Sequence, residues 1–317
     1  MNKICYGCGA HLQSIDKDKI GYIPANKEDA SYCMRCYKLK HYGINNKIKT
    51  PKKIDEIIYL VNQDKKHTIF LVDFVSISDE VINIFKRISG PKLLLISKLD
   101  MLPKDIKLEK IKNYLYNRYN INEKNIKFIS SLSNNKVNEL INYLIRNNID
   151  KTYILGLSNS GKSTLINKII DLTNSKVNKI VTSHNKNTTL DFIRLPLSNG
   201  ITLIDSPGFI INSYNIESKE KTKIKPLTYQ IKEGDTLRIN DIYLKFSNKT
   251  NITIYSNYNL DTKKYYKENI SYNSKLNIDN NSDLIIKGLC FINIKDKTDI
   301  EIDFNKKITE VRESIFR

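Results

Sequence analysis

The chain has 317 residues, a formal net charge of +18 and 40% hydrophobic residues. This length suits two or three domains, and the hydrophobic fraction is sufficient for packed cores. The longest apolar runs, such as Ile69–Val72 and Leu93–Ile96, are far too short to cross a bilayer. The first residues, MNKICYGCGA, contain neither an apolar secretory segment nor an Arg-rich amphipathic one. We therefore expect a cytoplasmic protein with no signal or transit peptide and no membrane partner.

The positive charge suits a nucleic-acid partner, because each Lys or Arg placed against a phosphate releases counterions. A compositional origin is the alternative, since only eight of the 52 basic residues are Arg, while Asn, Ile and Lys are abundant throughout. Lys also contacts phosphate as a point charge rather than with a bidentate fork. The charge by itself therefore predicts weak, salt-sensitive and sequence-independent binding.

The N-terminal segment, residues 1–50, contains two cysteine pairs, CYGC (Cys5, Cys8) and CMRC (Cys33, Cys36). Each CxxC pair can supply two thiolates to one tetrahedral ion, and a set of four thiolates suits Zn²⁺. Two disulfides or a redox pair are the alternatives, but a cytosolic setting disfavours disulfides and no thioredoxin-like pattern adjoins either pair. We expect a zinc-finger domain in which the metal supplies folding energy that so small a core lacks.

Residues 51–215 alternate strand-like and helix-like patterns. Four apolar runs predict buried strands: HTIFLVDFV, KLLLIS, NIKFIS and TYILGL. Between them, DEVINIFKRIS, KLEKIKNYLYNRY and KVNELINYLIRN carry apolar residues at helical spacing. A hairpin at Ser198–Gly200 is expected to join DFIRLPL to GITLID. This alternation predicts an α/β domain with a mostly parallel sheet covered by helices on both faces.

Residues 216–317 are different in character. The runs LTYQI, DTLRI, IYLKF, NITIYS, LIIKGLCFINI and IEIDF are short and β-branched, and Asn, Asp, Gly and Lys turns separate them. This pattern predicts a separate all-β domain, whose boundary lies in the charged, linker-like stretch Asn215–Pro226. Cys290 stands alone in an apolar run, so we expect it to pack in the core of that domain.

The stretch Gly156–Ser163, GLSNSGKS, satisfies GxxxxGK[ST], follows a predicted strand and opens an amphipathic helix. Backbone N–H groups of such a loop and helix start cradle phosphates. Lys162 would reach the β- and γ-phosphates, and Ser163 would ligate Mg²⁺. Further on, DSPG (Asp205–Gly208) ends a strand, where the carboxylate can hold Mg²⁺ and the Gly N–H can meet the γ-phosphate. The two motifs together predict a phosphate-binding site.

Two base-reading motifs precede this phosphate loop. SKLD (Ser97–Asp100) ends a strand, and Asp100 can accept both N–H groups on the Watson–Crick edge of guanine, which adenine does not offer. FISS (Phe128–Ser131) ends another strand and can offer a backbone N–H to the guanine carbonyl. Between the phosphate loop and DSPG, Thr188 or Thr189 can close over Mg²⁺ as a switch. An ordinary charged turn is the alternative for SKLD alone, but the full set of motifs is present in rotated order.

The set resembles the circularly permuted GTPases, and within them the YqeH family of ribosome-assembly GTPases. GCGAHLQ and YCMRCYKLKHY are similar to that family's zinc motif, SKLDMLPK to its NKxDLLPK, and GLSNSGKSTLIN to its GxxNVGKSTLIN. NTTL and DSPG resemble its PGTTL and DTPG, and KPLTY and VRESIF are similar to its C-terminal domain. The resemblance implies a permuted Ras-like P-loop fold, GTP binding and slow hydrolysis to GDP. It also implies nucleotide-dependent association with the small ribosomal subunit or its rRNA.

Position by position, the resemblance implies a complete nucleotide site. The implied residues for GTP or GDP are Lys98, Asp100, Ser130, Ser131, Asn159, Ser160, Gly161, Lys162, Ser163, Thr164, Asp205 and Gly208. The implied Mg²⁺ ligands are Ser163, Thr189 and Asp205. The implied catalytic residues are Asn159, Lys162 and Thr189.

The chain departs from the family pattern at four places, one of which is a pair of residues. Ser97 replaces the Asn that ties the base motif to the phosphate loop, which predicts lower guanine affinity, and Ser131 replaces an Ala. Lys186-Asn187 replaces the Pro-Gly of switch I. Phe209 follows DSPG, so no Gln is present to orient the attacking water. Similar GTPases with an apolar residue there use K⁺, and the hypothesis is that Asn159 helps to hold it.

Two other interpretations stay open. A non-hydrolysing, GTP-responsive RNA-binding scaffold is favoured by the departures at Ser97 and Phe209. A second permuted group, the RsgA-like GTPases, carries an OB domain before the GTPase and zinc after it, so the early cysteines disfavour it. We expect a monomer whose switch II leads through Phe209–Pro226 into the β domain, which would transmit the nucleotide state to an RNA-binding module.

Overall fold

The computed structural model describes residues 3, 11–15, 21–25, 27, 29–34, 54–104, 106–174, 181–182, 192–209, 211, 222–266 and 270–316. Of the predicted zinc ligands, Cys33 is described and is buried, whereas Cys5, Cys8 and Cys36 lie outside these residues. The zinc finger therefore stays a prediction. Switch I, with Thr188 and Thr189, also lies outside the described residues.

The α/β part contains five helices and seven strands in its described residues. The helices are α1 (Ile54–Asp64), α2 (Asp79–Lys86), α3 (Leu108–Tyr119), α4 (Asn134–Arg146) and α5 (Lys162–Leu172). The strands are β1 (His67–Asp73), β2 (Lys92–Ser97), β3 (Ile126–Phe128), β4 (Lys151–Gly156), β5 (Val181–Thr182), β6 (Ile193–Pro196) and β7 (Thr202–Asp205). The four predicted strands, the three helices between them and the hairpin are all confirmed. No helix in the described ranges is both long and apolar enough to cross a membrane.

The seven strands form one sheet in the order β3-β2-β1-β4-β7-β6-β5. The recorded pairings of β1 with β4, β4 with β7 and β2 with β3 are parallel, whereas β6 runs antiparallel to β5 and β7. All seven residues of β1 are buried, as expected for a parallel strand covered on both faces. Strand β4 carries the phosphate loop and lies at the centre of the sheet. Strands that precede it in the chain lie on one side and those that follow lie on the other.

The C-terminal part is a pair of antiparallel sheets. Its strands are β8 (Leu227–Ile231), β9 (Asp235–Ile239), β10 (Ile242–Phe246), β11 (Thr250–Tyr255), β12 (Thr262–Tyr266), β13 (Ser274–Ile278), β14 (Ser282–Ile286), β15 (Cys290–Ile294), β16 (Thr298–Ile302) and β17 (Thr309–Glu313). They form sheets in the orders β12-β9-β10-β16-β13 and β17-β14-β15-β11-β8.

A single apolar cluster is shared by these two sheets. Leu244 and Ile300 come from one sheet, and Ile254 and Ile292 from the other. Cys290 lies in the same cluster and is fully buried, as predicted, and burial raises the pKa of its thiol. The sequence does not predict β12, β13 and β17, because TKKYY, SKLNI and TEVRE contain few apolar residues.

By its contacts the chain separates into two compact units. The first comprises residues 1–71, 88–93 and 131–209, and it contains strands β4 to β7. The second comprises residues 72–87, 94–130 and 210–317, and it contains β3, most of β2 and all of β8 to β17. The second unit thus groups the base-motif strands with the C-terminal strands. The domain boundaries expected at residues 50 and 215 stay predictions.

Within the second unit, the C-terminal strands contain a buried ion pair. Its arginine also contacts the chain that follows β1. The guanidinium of Arg312 lies 3.2 Å from Asp283, and both side chains are fully buried. Arg312 also donates to the carbonyl of Ile77, just before α2. Asp283 accepts further hydrogen bonds from Asn293 at 2.8 Å and from the Ile315 N–H at 3.0 Å. The hydrogen bonds compensate for removing both charges from water.

Asp283→Ala is expected to destabilise the fold strongly, because it leaves the buried guanidinium of Arg312 without its carboxylate. Breaking such a pair costs about 3–5 kcal/mol. Urea unfolding followed by circular dichroism measures the change. Asp279→Ala is the matched control, since its ion pair with Lys297 is exposed at both ends and such pairs add little stability. Equal effects of the two variants would contradict a structural role for the buried pair.

Candidate functional site

The phosphate loop connects β4 to α5. Asn159 and Gly161 both adopt left-handed backbone conformations, with φ values of 66° and 96°. The helix begins directly after them, since the Leu165 N–H donates to the Gly161 carbonyl at 2.9 Å. The N–H groups of the first helical turn have no partner within a helix, which makes this end an anion-binding site. The loop therefore has the geometry that the sequence predicts for phosphate binding.

Gly156 is required because the loop starts in close contact with β1. A Cβ atom at this position would lie 2.5 Å from the Leu71 carbonyl oxygen and 2.9 Å from the Ser160 hydroxyl. Any side chain would therefore displace backbone, not only a flexible side chain. The first glycine of the motif fixes how closely the loop approaches the centre of the sheet.

Lys162 and Asp205 are brought together at this loop. The ammonium group of Lys162 donates to Asp205 Oδ1 at 2.7 Å and to the Ser206 carbonyl, and the lysine is buried. Asp205 ends β7, which pairs with β4 so that Asp205 lies opposite Ile154. The pairing of these two central strands thus delivers the carboxylate to the phosphate loop.

The remaining predicted phosphate-side residues lie along the same loop and strand ends. Ser163 and Thr164 are exposed in the first turn of α5, whereas Ser160 is buried in the loop. Gly208 is exposed, and a Cβ there would lie 3.2 Å from the Ser158 hydroxyl. The Ser163 hydroxyl and the Asp205 carboxylate are hard oxygen donors of the kind that Mg²⁺ prefers, so these residues fit that ion.

Phe209, at the position after DSPG, is a core residue. It is 3% exposed, and its ring centroid lies 5.8 Å from that of Phe70. Its carbonyl accepts from the Ser158 N–H at 2.8 Å, so its backbone supports the phosphate loop. This apolar side chain cannot orient water, in agreement with the departure seen in the sequence.

The base motif forms the turn after β2. Lys98 has a left-handed backbone (φ 61°), and its ammonium group donates to Asp73 Oδ2 at 2.8 Å. Asp100 Oδ1 accepts from the Ser130 hydroxyl at 2.5 Å, and the Leu99 N–H donates to the Ile129 carbonyl at 3.1 Å. The predicted residues Lys98, Asp100 and Ser130 are therefore held at neighbouring strand ends. Ser131 lies in the turn between β3 and α4.

Ser97 and Asp73 make contacts around the base motif that the sequence does not predict. The Ser97 hydroxyl donates to the Val72 carbonyl at 3.3 Å and is buried, so this residue fastens β2 to the end of β1. Asp73 was missed by the sequence reasoning. The available signal was an acidic residue at the carboxyl end of a fully apolar strand, where charge has to be compensated.

The described residues contain no group of three or more His, Cys, Asp and Glu side chains that could hold a metal ion. Cys33 is among the described residues, whereas the other three cysteines of the two pairs are not. Thr189 also lies outside them, so its role as a Mg²⁺ ligand stays a prediction.

The chain is similar in sequence to known proteins. A family profile described as RsgA GTPase matches residues 45–215, which include both base motifs, the phosphate loop and DSPG. "Uncharacterized protein YqeH" of Bacillus subtilis is 31% identical over 254 residues, covering 74% of this chain and 69% of that protein. Mouse "Nitric oxide-associated protein 1" is 24% identical, covering 62% of this chain and 37% of that protein. The crystal structure of YjeQ from Thermotoga maritima covers 45% of this chain and 48% of its own, with 22% identity and a TM-score of 0.31.

The phosphate loop on the central strand and these sequence matches together define a circularly permuted GTPase fold. The chain belongs to the RsgA GTPase family and is YqeH-like. The family match begins at residue 45, after both cysteine pairs, so the early cysteines do not exclude the chain from that family, contrary to the expectation from sequence. Members of this family are GTP-hydrolysing enzymes, so family membership implies GTP and GDP as the nucleotides.

Gly156→Ala is expected to weaken GDP binding by at least about tenfold, or ~1.4 kcal/mol, because the added methyl group displaces the start of the phosphate loop. Titration with a fluorescent GDP analogue measures this. Gly200→Ala is the control, since a Cβ there meets nothing within 4 Å, while its positive φ of 85° makes an Ala strained. This variant therefore tests backbone strain at a glycine without a steric clash at the phosphate loop. Unchanged GDP affinity in Gly156→Ala would refute the close-contact argument.

Proposed function

We propose that this protein hydrolyses GTP to GDP during assembly of the small ribosomal subunit, binding the subunit precursor or its rRNA in a nucleotide-dependent way. The observation that carries the catalytic part is the contact of Lys162 with Asp205 at the phosphate loop. The ribosomal part rests on the sequence resemblance and on the net charge of +18. The proposed setting is a cytoplasmic monomer.

In this proposal the phosphate loop, from Asn159 to Thr164, holds the phosphates through backbone N–H groups. Lys162 moves its hydrogen bonds from Asp205 to the β- and γ-phosphates when nucleotide binds. Ser163, Asp205 and Thr189 hold Mg²⁺, which supplies charge neutralisation at the transferred phosphoryl group when bound. Gly208 donates its N–H to the γ-phosphate.

The other end of the nucleotide is assigned to the base motif. Asp100 accepts the two guanine N–H groups, Lys98 lies along the base plane, and the turn of Ser130 and Ser131 donates to the guanine carbonyl. The hydrogen bond from Ser130 holds the Asp100 carboxylate in one orientation before the base arrives. This arrangement favours guanine because adenine has an acceptor in place of N1–H and no 2-amino group, so it cannot donate the same two hydrogen bonds to a carboxylate.

Hydrolysis in the proposal does not use a glutamine, because Phe209 is buried in the core. The exposed and left-handed Asn159 is proposed to help hold K⁺, whose charge would substitute for a positioned side chain. Zn²⁺ held by Cys5, Cys8, Cys33 and Cys36 is proposed as a structural ion of the N-terminal segment. The burial of Cys33 is compatible with a ligand inside such a site.

Turnover of GTP is expected to be slow alone and faster when purified small ribosomal subunits are added in KCl. Phosphate release is measured with KCl or NaCl, with and without subunits, for the natural protein, Asn159→Ala and Lys162→Ala. Loss of the KCl advantage in Asn159→Ala supports the K⁺ site. No turnover under any of these conditions, with GTP still bound, would favour the non-hydrolysing scaffold instead.

Sedimentation with separated ribosomal subunits tests the partner. Binding to the small subunit is expected to differ between GDP and a non-hydrolysable GTP analogue and to persist as salt is raised to physiological strength. Binding that ignores the nucleotide and disappears at modest salt would reduce the interaction to generic Lys–phosphate attraction.

A further inference from the structure

The Asp73 carboxylate makes two different contacts at the end of β1. Its Oδ2 accepts from the Lys98 ammonium group at 2.8 Å, and its Oδ1 accepts from the Ser76 N–H at 3.0 Å. The second contact caps a short 3-10 helix formed by Phe74–Ser76. The Asp73 side chain is 5% exposed and the Lys98 side chain 15%, so water screens this ion pair only partly.

The short helix that Asp73 caps is covered by the C-terminal strands. The Phe74 ring meets Phe291 edge-on at 5.5 Å and Phe316 at 6.1 Å. Tyr255 stacks on Phe291 at 4.8 Å and lies 4.9 Å from Phe316. The backbone that carries Asp73 is therefore fixed by a cluster of aromatic rings, three of which belong to the C-terminal part.

The base motif has a second tie to the chain that enters the C-terminal strands. The Ile224 N–H donates to the Met101 carbonyl at 2.9 Å, directly after the predicted base-reading Asp100. Two residues earlier, the Thr222 N–H donates to the Asn257 carbonyl at 2.7 Å. The turn from Lys98 to Met101 thus has contacts at both ends with structure that the C-terminal part holds in place.

We propose that Asp73 is a positioning residue for guanine recognition, through which the docked C-terminal strands set the conformation of the turn Lys98–Met101. The inference rests on the proposed function, in which Lys98 and Asp100 bind guanine. The physical reason is the backbone of Lys98, since a left-handed conformation is strained for a residue with a Cβ. Ion pairing with Asp73 offsets this strain.

The presence of Ser97 in place of the family's Asn is a second reason why the turn Lys98–Met101 needs support from β1. The family pattern has an Asn there that ties the base motif to the phosphate loop. In this chain the Ser97 hydroxyl bonds instead to Val72, the residue before Asp73. Ser97 and Lys98 are thus both fastened to the last two residues of β1, which take over support of the base-reading turn.

The proposal predicts that Asp73→Asn changes nucleotide selectivity and not only stability. Dissociation constants are measured for GDP and for IDP, which lacks the 2-amino group that Asp100 is proposed to read. The affinity for GDP is expected to fall about tenfold. The ratio of GDP affinity to IDP affinity is expected to fall at least about threefold, because the turn loses its fixed conformation. Phe316→Leu is expected to shift the preference in the same direction, but less.

Asp64→Asn is the matched control. Asp64 is also a partly buried carboxylate that pairs with a lysine, Lys151, and with the Tyr153 hydroxyl, but none of these residues contacts the base motif. Its GDP-to-IDP preference is expected to equal that of the natural protein. Thermal unfolding of each variant identifies any that fail to fold, and Asp73→Glu then provides a second test of the same contact, with a preference between those of the natural protein and Asp73→Asn.

The outcomes separate the inference from the function on which it rests. If the natural protein binds GDP and IDP equally, guanine reading by Asp100 fails, and the role of Asp73 fails with it. If the natural protein prefers GDP and Asp73→Asn retains the full preference, the positioning role is overturned while the proposed GTPase function stands. An equal loss of preference in Asp64→Asn would also overturn it, because the effect would then be one of general stability.

Discussion

The contact of Lys162 with Asp205 is the interaction on which the account of this protein depends. It exists because β4 and β7 pair in parallel at the centre of the sheet and end at the same edge. A buried lysine requires a compensating charge or carbonyl, and here it has both. Phosphate oxygens can replace these partners without leaving the ammonium group unsatisfied. In the proposed function, the same ammonium group would exchange these partners for phosphate oxygens when nucleotide binds.

The predicted base motif is held by a different set of contacts, which involve the C-terminal strands. From sequence, coupling between nucleotide and C-terminal part is expected through the linker after Phe209, most of which lies outside the described residues. The contacts of Asp73 and Met101 point to a second connection, made to the base motif. A partner that binds the C-terminal strands would then act on nucleotide affinity as well as on hydrolysis.

Much of the α/β fold follows from local signals in the sequence. The apolar runs of β1, β2 and β4 predict buried strands without any knowledge of distant residues. In the same way, Gly156 and Gly161 predict the phosphate loop. Asp73 could not be assigned from sequence, because its role comes from β1 lying beside β2, a contact between separate segments. The buried Arg312 was equally unpredictable, since a charge near the end of the chain usually indicates an exposed residue.

The central proposal is that Lys162 in the phosphate loop binds nucleotide phosphates and that Asp100 selects guanine. Calorimetric titration of the natural protein with GDP and ADP, in the presence of Mg²⁺, tests it most directly. The account predicts tight GDP binding, little or no ADP binding, and loss of GDP binding in Lys162→Ala. Equal affinities for GDP and ADP, or GDP binding unchanged in Lys162→Ala, would contradict it.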